Sequence, residues 1–261
     1  MTTSTTTTIP RRGSAPRTPA IGRDEAMALA AAEYERGAEL LQGLEPGQWS
    51  APTVNTGWDV RATAGHVLGM MEMMSSVPQM VGQTLAAQRA ARRRKAPTSL
   101  DELTALQVRR NAGLGTGELV AKWRAVASKA VRGRRRLPAL LRRRAMPELQ
   151  LIGGQLEPWT FGYLADVILT RDPFMHRLDI CAATGLPPHV TAEHDGRIVD
   201  DIVHEWADRH GRPYRLELAG PAGGTWGTGE GEPIRLDALD FCRVLSGRGT
   251  ATGLLTTAVA F

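Results

Sequence analysis

Residues 171–179 read RDPFMHRLD. Asp172, His176 and Asp179 stand there at i, i+4 and i+7, positions that a 3.6-residue period puts on one face of a helix. An imidazole and a carboxylate one turn apart can chelate a divalent ion. A carboxylate a turn beyond can accept the second ring N–H and fix the tautomer, a role that suits Asp179. Two ligands leave an ion under-coordinated, so a third is expected from a facing helix, and His66 is the only histidine in the other helical segments of that half. Three protein ligands with open positions describe a catalytic rather than a structural zinc. The same spacing also describes side chains that only stabilise a helix, with Asp172 paired to Arg171 or Arg177 and each histidine satisfied separately.

Outward from that run, Trp159 to Thr184 reads as one long helix, stopped by GLPP after Gly185. Upstream, apolar residues recur at helical spacing between Asp24 and Leu44 (Met27, Ala30, Ala31, Tyr34, Ala38, Leu41). The segment 45–58, EPGQWSAPTVNTGW, reads as an irregular loop. A second helix runs from about Trp58 through His66 and GMMEMM, with Pro78 ending or kinking it. Residues 99–112 and 117–136 read as further helices, with Leu103, Leu106, Leu119, Val120, Trp123 and Val126 as the stripe. The predicted class is α+β. Residues 22–185 form a four-helix bundle, 186–261 a small α+β C-terminal domain, and 1–21, rich in Thr, Pro and Arg, a disordered tail. The C-terminal part holds a helix near 192–210, a strand over Tyr214 to Leu218, glycine-rich hairpin turns, a helix from Leu236 to Ser246 and a strand-like TTAVAF.

Composition narrows the function classes. No apolar run approaches a membrane span, and no secretory h-region precedes the first helix. Cys181 and Cys242 match neither a disulfide framework nor a CxxC knuckle, so a reducing cytoplasm is the expected compartment. The net charge of +5 hides a basic stretch from Arg89 to Arg144, where 17 Lys and Arg face only Asp101, Glu102 and Glu118. With no interleaved aromatics and no reader motif, that stretch reads as a solvated face in preference to a nucleic acid surface. Met70, Met71, Met73 and Met74 read as core filling in preference to a pocket lining. His189, His194, His204 and His210 read as surface or structural, having no ligand spacing.

PTVNTGWDVRATAGHV (52–67), RDPFMHRLDICAATG (171–185), FCRVLSGR (241–248) and the terminal AVAF together resemble the mycothiol-dependent maleylpyruvate isomerase family over nearly the whole chain. The resemblance implies a DinB-like four-helix bundle joined to a small α+β domain. It implies zinc held by a histidine early in the second helix and an ExxxH pair in the fourth. His66, Asp172 and His176 occupy those positions, with Asp172 standing where the family has Glu. It further implies mycothiol as thiol cosubstrate and a C-terminal arginine that holds an acidic small-molecule substrate, for which Arg243 and then Arg248 are the candidates. The implied reaction is thiolate addition to a cis double bond, rotation and elimination to the trans isomer. A thiol S-transferase is the alternative, and a non-catalytic binding protein that uses the basic face is another.

Overall fold

The computed structural model describes residues 15–96 and 98–261. Helix α1 (Arg23–Gln42) is followed by a loop that contains a tight turn at Pro46–Ser50. Asp59 then caps α2 (Val60–Ser75), its Oδ1 accepting the Ala62 N–H at 2.7 Å. Helices α3 (Val77–Arg94), α4 (Leu100–Asn111), α5 (Thr116–Arg135) and the single turn α6 (Ala139–Arg142) come next. Strands β1 (Gln150–Ile152) and β2 (Gln155–Glu157) form a hairpin. The last long helix begins as α7 (Phe161–Tyr163), passes through one π-type turn (Leu164–Ile168) and continues as α8 (Leu169–Thr184).

Helix α2 is the hub of the helical region, because α5, α4, α3 and α8 all pack on it and its side chains are buried nearly all round. Gly69 lets α4 come close, since a Cβ there would fall on the Gln107 side chain. Helices α1, α2, α5 and α8 enclose a core of Tyr34, Leu41, Leu68, Met71, Leu119, Trp123 and Leu169. Trp123 lies over Gly37 and donates its indole N–H to the Tyr34 carbonyl at 2.8 Å.

The C-terminal part holds α9 (Arg197–His210), preceded by a π-type turn at Ala192–Gly196, then β3 (Tyr214–Ala219), β4 (Gly224–Thr228), β5 (Pro233–Asp237) and α10 (Ala238–Leu245). The sheet order is β4-β3-β5, antiparallel on the β4 side and parallel on the β5 side. Tyr214, Leu216 and Leu218 alternate inward along β3, as period 2 requires. They join Trp206, Phe241 and Val203 in a core that also takes Met27 from α1 and Phe174, Met175 and Leu178 from α8. Helix α8 therefore feeds both cores. Among the described residues no helix is long and apolar enough to cross a membrane.

The architecture is the expected α+β class, a helical N-terminal region with a small C-terminal sheet, although α3 and α4 add a hairpin beyond the four helices round the core. The second helix stops at Ser75, just short of Pro78 as expected, but the break lies at Ser76, which caps α3, and Pro78 sits in the first turn of α3, where a missing N–H is harmless. The terminal TTAVAF is not a strand. The Val259 N–H reaches the Leu245 carbonyl at 3.3 Å and the Ala260 carbonyl accepts from Arg171, so no ladder is left to form. Of the expected tail, residues 1–14 lie outside the described residues. Its expected end at 21 is corrected, because the Arg17 N–H and carbonyl bond to Pro158 and Thr160 (2.9 and 3.0 Å) and Ile21 is buried.

Candidate metal centre

Pro173 removes the N–H that would bond to the Leu169 carbonyl, and the π-type turn interrupts the ladder just before it. Both defects are met by Arg134 of α5, whose side chain is wholly buried. Its guanidinium donates to the carbonyls of Ala165 (2.7 Å) and Leu169 (3.0 Å), to Thr170 Oγ1 (2.6 Å) and to Tyr34 Oη (3.0 Å). The first arginine of the run 134–136 therefore braces the segment that leads into α8 and does not belong to a solvated face. Arg142, in the next such run, is also buried and pairs with Asp166.

Two further arginines fix α8 on either side of Asp172 and His176. Arg171 binds Asp201 (3.1 and 2.7 Å), Glu205 (2.7 Å) and the Ala260 carbonyl (3.1 Å). Arg177 binds Glu33 (2.7 and 3.2 Å), Asp195 and the His189 carbonyl (3.1 Å).

Between them, Asp172 and His176 face His66 of α2. Ligand atoms of the three all lie within 4.8 Å of one another. Asp172 Oδ1 is 3.5 Å from His176 Nε2, and Asp172 Oδ2 is 3.6 Å from His66 Nε2. Two donors about 2.1 Å from one ion at a tetrahedral angle stand about 3.4 Å apart, so these separations suit a shared cation. Asp172 Oδ2 and His66 Nδ1 are buried without a hydrogen-bond partner among the described residues. Burial would raise the Asp172 carboxyl, but the charges of His176 and His66 outweigh it and hold the group well below the usual range. Burial alone would lower His176; Asp172 and Asp179 overcome that and push it up to about 9.

Asp179 has its Oδ2 3.1 Å from His176 Nδ1. It also accepts from Asn55 Nδ2 (3.0 Å) and from Arg248 Nε and Nη2 (2.9 Å each). Arg248 is thus the arginine that reaches the centre, through Asp179. Arg243, the first candidate, instead binds Asp240 at 3.1 Å on a partly exposed side chain. Sequence reasoning missed Asn55 and underread Trp58, whose indole packs on His66 and His176 with ring centroids 5.2 and 6.1 Å apart. Both come from the loop before α2, where no periodicity signals a role.

A cavity of about 310 Å3 opens beside His66 and Asp172, with Met70, Met73 and Met74 in its wall. These methionines are buried and line a pocket at once. A second cluster, Glu33, His194 and Asp195, also brings ligand atoms within 4.8 Å of one another. It does not suit a cation, because Arg177, Arg36, His194 and the Thr191 N–H take up its carboxylate oxygens. His194 is accordingly buried and not at the surface, whereas His189 and His204 are exposed.

Residues 30–181 match the family described as mycothiol maleylpyruvate isomerase N-terminal domain. The fold is similar to a crystal structure of the mycothiol-dependent maleylpyruvate isomerase (13% identity, TM-score 0.52) and to that of a histidine-to-alanine mutant of it (12%, 0.52). Each likeness covers 88% of this chain and 90% of the other. At that identity the likeness is one of fold. No curated protein matches.

Proposed function

We propose, from the premise that this chain belongs to the mycothiol maleylpyruvate isomerase family, that it is a metal-dependent enzyme presenting a thiol, mycothiol, to an unsaturated or electrophilic small molecule. Isomerisation of a cis double bond in the manner of maleylpyruvate isomerase is the form the family suggests. The observation that carries the reading is the convergence of His66, Asp172 and His176, with a buried, unpartnered Asp172 oxygen among them, at the edge of a cavity.

Two imidazoles and one carboxylate are a donor set that suits zinc. A divalent ion held by these three side chains would lower the pKa of a neighbouring thiol and keep it as the thiolate nucleophile. The protein's own groups prepare that site. Asp179 takes the Nδ1 side of His176, leaving Nε2 directed to the centre. Arg248 keeps Asp179 anionic and oriented, and Trp58 packs over both imidazoles. A thiol S-transferase would use the same groups, with the sulfur retained on the product. The reading that uses the basic face for binding loses Arg134 and Arg142, both buried. A reducing cytoplasm remains the proposed compartment for a free-thiol cosubstrate.

The test is elemental analysis of the purified protein with a thermal-shift titration of mycothiol. Near-stoichiometric zinc and a thiol-dependent rise in Tm that His176→Ala abolishes are expected. Less than about a tenth of an equivalent of any transition metal would sink the reading, since three protein ligands should retain zinc.

A further inference from the structure

The cavity beside the metal ligands is built for a substrate unlike a small dicarboxylate. Its wall includes Met70, Met73, Met80, Met146, Ile168 and Phe261. The ionisable residues that line it are His66 and Asp172 at the metal end, together with Asp101 and Glu148; among the described residues no lysine or arginine does. Glu148 is already bound by the Ser99 N–H and hydroxyl at 3.1 and 2.6 Å. Beyond the metal end, an anion would exchange water for thioether and aliphatic carbon, facing Asp101 and Glu148 and, among the described residues, no lysine or arginine. The two arginines expected to hold a carboxylate are engaged elsewhere, Arg248 with Asp179 and Arg243 with Asp240. The volume of about 310 Å3 lies at the small end of sites that enclose an organic ligand. Methionine walls adapt to irregular apolar shapes. Gln107, also in the wall, has a buried Oε1 with no partner among the described residues, and so offers one acceptor for a hydroxyl or N–H.

We propose that the electrophile is uncharged and largely apolar, an α,β-unsaturated ketone or ester with an aliphatic or aromatic body lying among the methionines. This rests on the thiol-activating reading above. The thiolate sulfur forms a bond to the β-carbon while the alkene π bond breaks, and its electron pair moves through the α-carbon to the carbonyl oxygen as an enolate. Return of the proton that the thiol gave up, to the α-carbon, yields a thioether. Re-expulsion of the thiolate instead regenerates the alkene with altered geometry.

The experiment measures fluorescence of the neutral probe N-phenyl-1-naphthylamine on the full chain, with competition by 4-phenyl-3-buten-2-one, an uncharged enone, and by maleate, a dicarboxylate. Saturable probe binding, displacement by the enone and none by maleate at the same concentration are expected. Met80→Lys puts a cation into the wall from a half-buried position, and Thr84→Trp fills the cavity from α3. Each should weaken probe and enone binding by about tenfold or more, with the circular dichroism spectrum kept. Displacement by maleate as effective as by the enone would overturn the proposal, as would probe binding that neither variant changes. Metal content and the mycothiol shift are read on the same samples. Their absence alongside variant-sensitive enone binding would fail the thiol reading while the apolar site stands; their presence with maleate preferred would fail this proposal alone.

Discussion

Arg248 holds Asp179 by two hydrogen bonds of 2.9 Å, although 69 residues separate them, and the same carboxylate faces Nδ1 of His176 at 3.1 Å. The C-terminal region thereby reaches a candidate metal ligand through Asp179. Groups that orient a ligating histidine typically alter metal affinity by about 10–100-fold when removed. Asp179→Asn is expected to weaken zinc retention by about that factor while the protein stays folded, and Arg248→Met to act in the same direction. Competition against a chromophoric chelator measures both. Unchanged affinity in Asp179→Asn would show that its contact with His176 is incidental.

Chelation gives a second expectation. A ligand at about a hundred times its Kd stabilises the state it binds by about 2.7 kcal/mol, which for a chain of this size is a rise in Tm of roughly 5–10 °C. A strong chelator should remove that increment from the native protein and leave the Tm of His66→Ala unmoved. An equal drop in both would mean that His66 is not a ligand.

Arg134 and Arg135 are neighbours with opposite fates. Arg134 is fully buried on four acceptors, whereas Arg135 is half exposed and lies 3.5 Å from the exposed Asp24. Arg134→Ala leaves buried carbonyls unpaired and should cost about 3–5 kcal/mol in denaturant unfolding. Arg135→Ala should fall within about 0.5 kcal/mol of the native protein. Similar effects from the two would remove the role given to Arg134.

Acid sensitivity should pass through Glu205. Burial would raise its carboxyl, but Arg171 and Arg209 hold it below its ordinary value of 4.5. A carboxyl more acidic in the fold than in the unfolded chain stabilises the fold above about pH 4.5, and that contribution is lost as pH falls through the folded value. Glu205→Gln should therefore be less stable than the native protein at pH 7 and lose less stability on going below about pH 4.5. Urea midpoints over that range decide it, and parallel pH curves would count against Glu205.

The sequence carried much of the site because the candidate ligands sit on helices, where spacing maps onto a face. Asp172, His176 and Asp179 could be placed together from their intervals, and His66 followed as the only histidine on the other helices of that half. What spacing could not show was which charged residue enters the protein. A triple arginine reads as solvated by composition, yet Pro173 was the signal that a donor would be needed at Leu169. The β1–β2 hairpin also had its signal, Gly153-Gly154 between alternating residues, with both φ angles positive at 55° and 79°. Helix α3 was harder to foresee, because Val77, Val81 and Leu85 put apolar side chains at helical spacing on its exposed side. Arg248 outranked Arg243 for a reason only tertiary structure holds: the turn after α10 brings it back onto α8.

Arg171 and Arg177, immediately beside Asp172 and His176, are anchored to acids on different elements, Asp201 and Glu205 on α9 and Glu33 on α1 with Asp195. Together they key the helix against rotation. Turning α8 by one residue, about 100°, would pull both guanidinium groups off their carboxylates at the moment it carried Asp172 and His176 off the centre. The angular setting of the helix is thus held by residues outside the candidate ligand set. With the setting held independently, the bearing of Asp172 and His176 toward His66 does not depend on their own contacts.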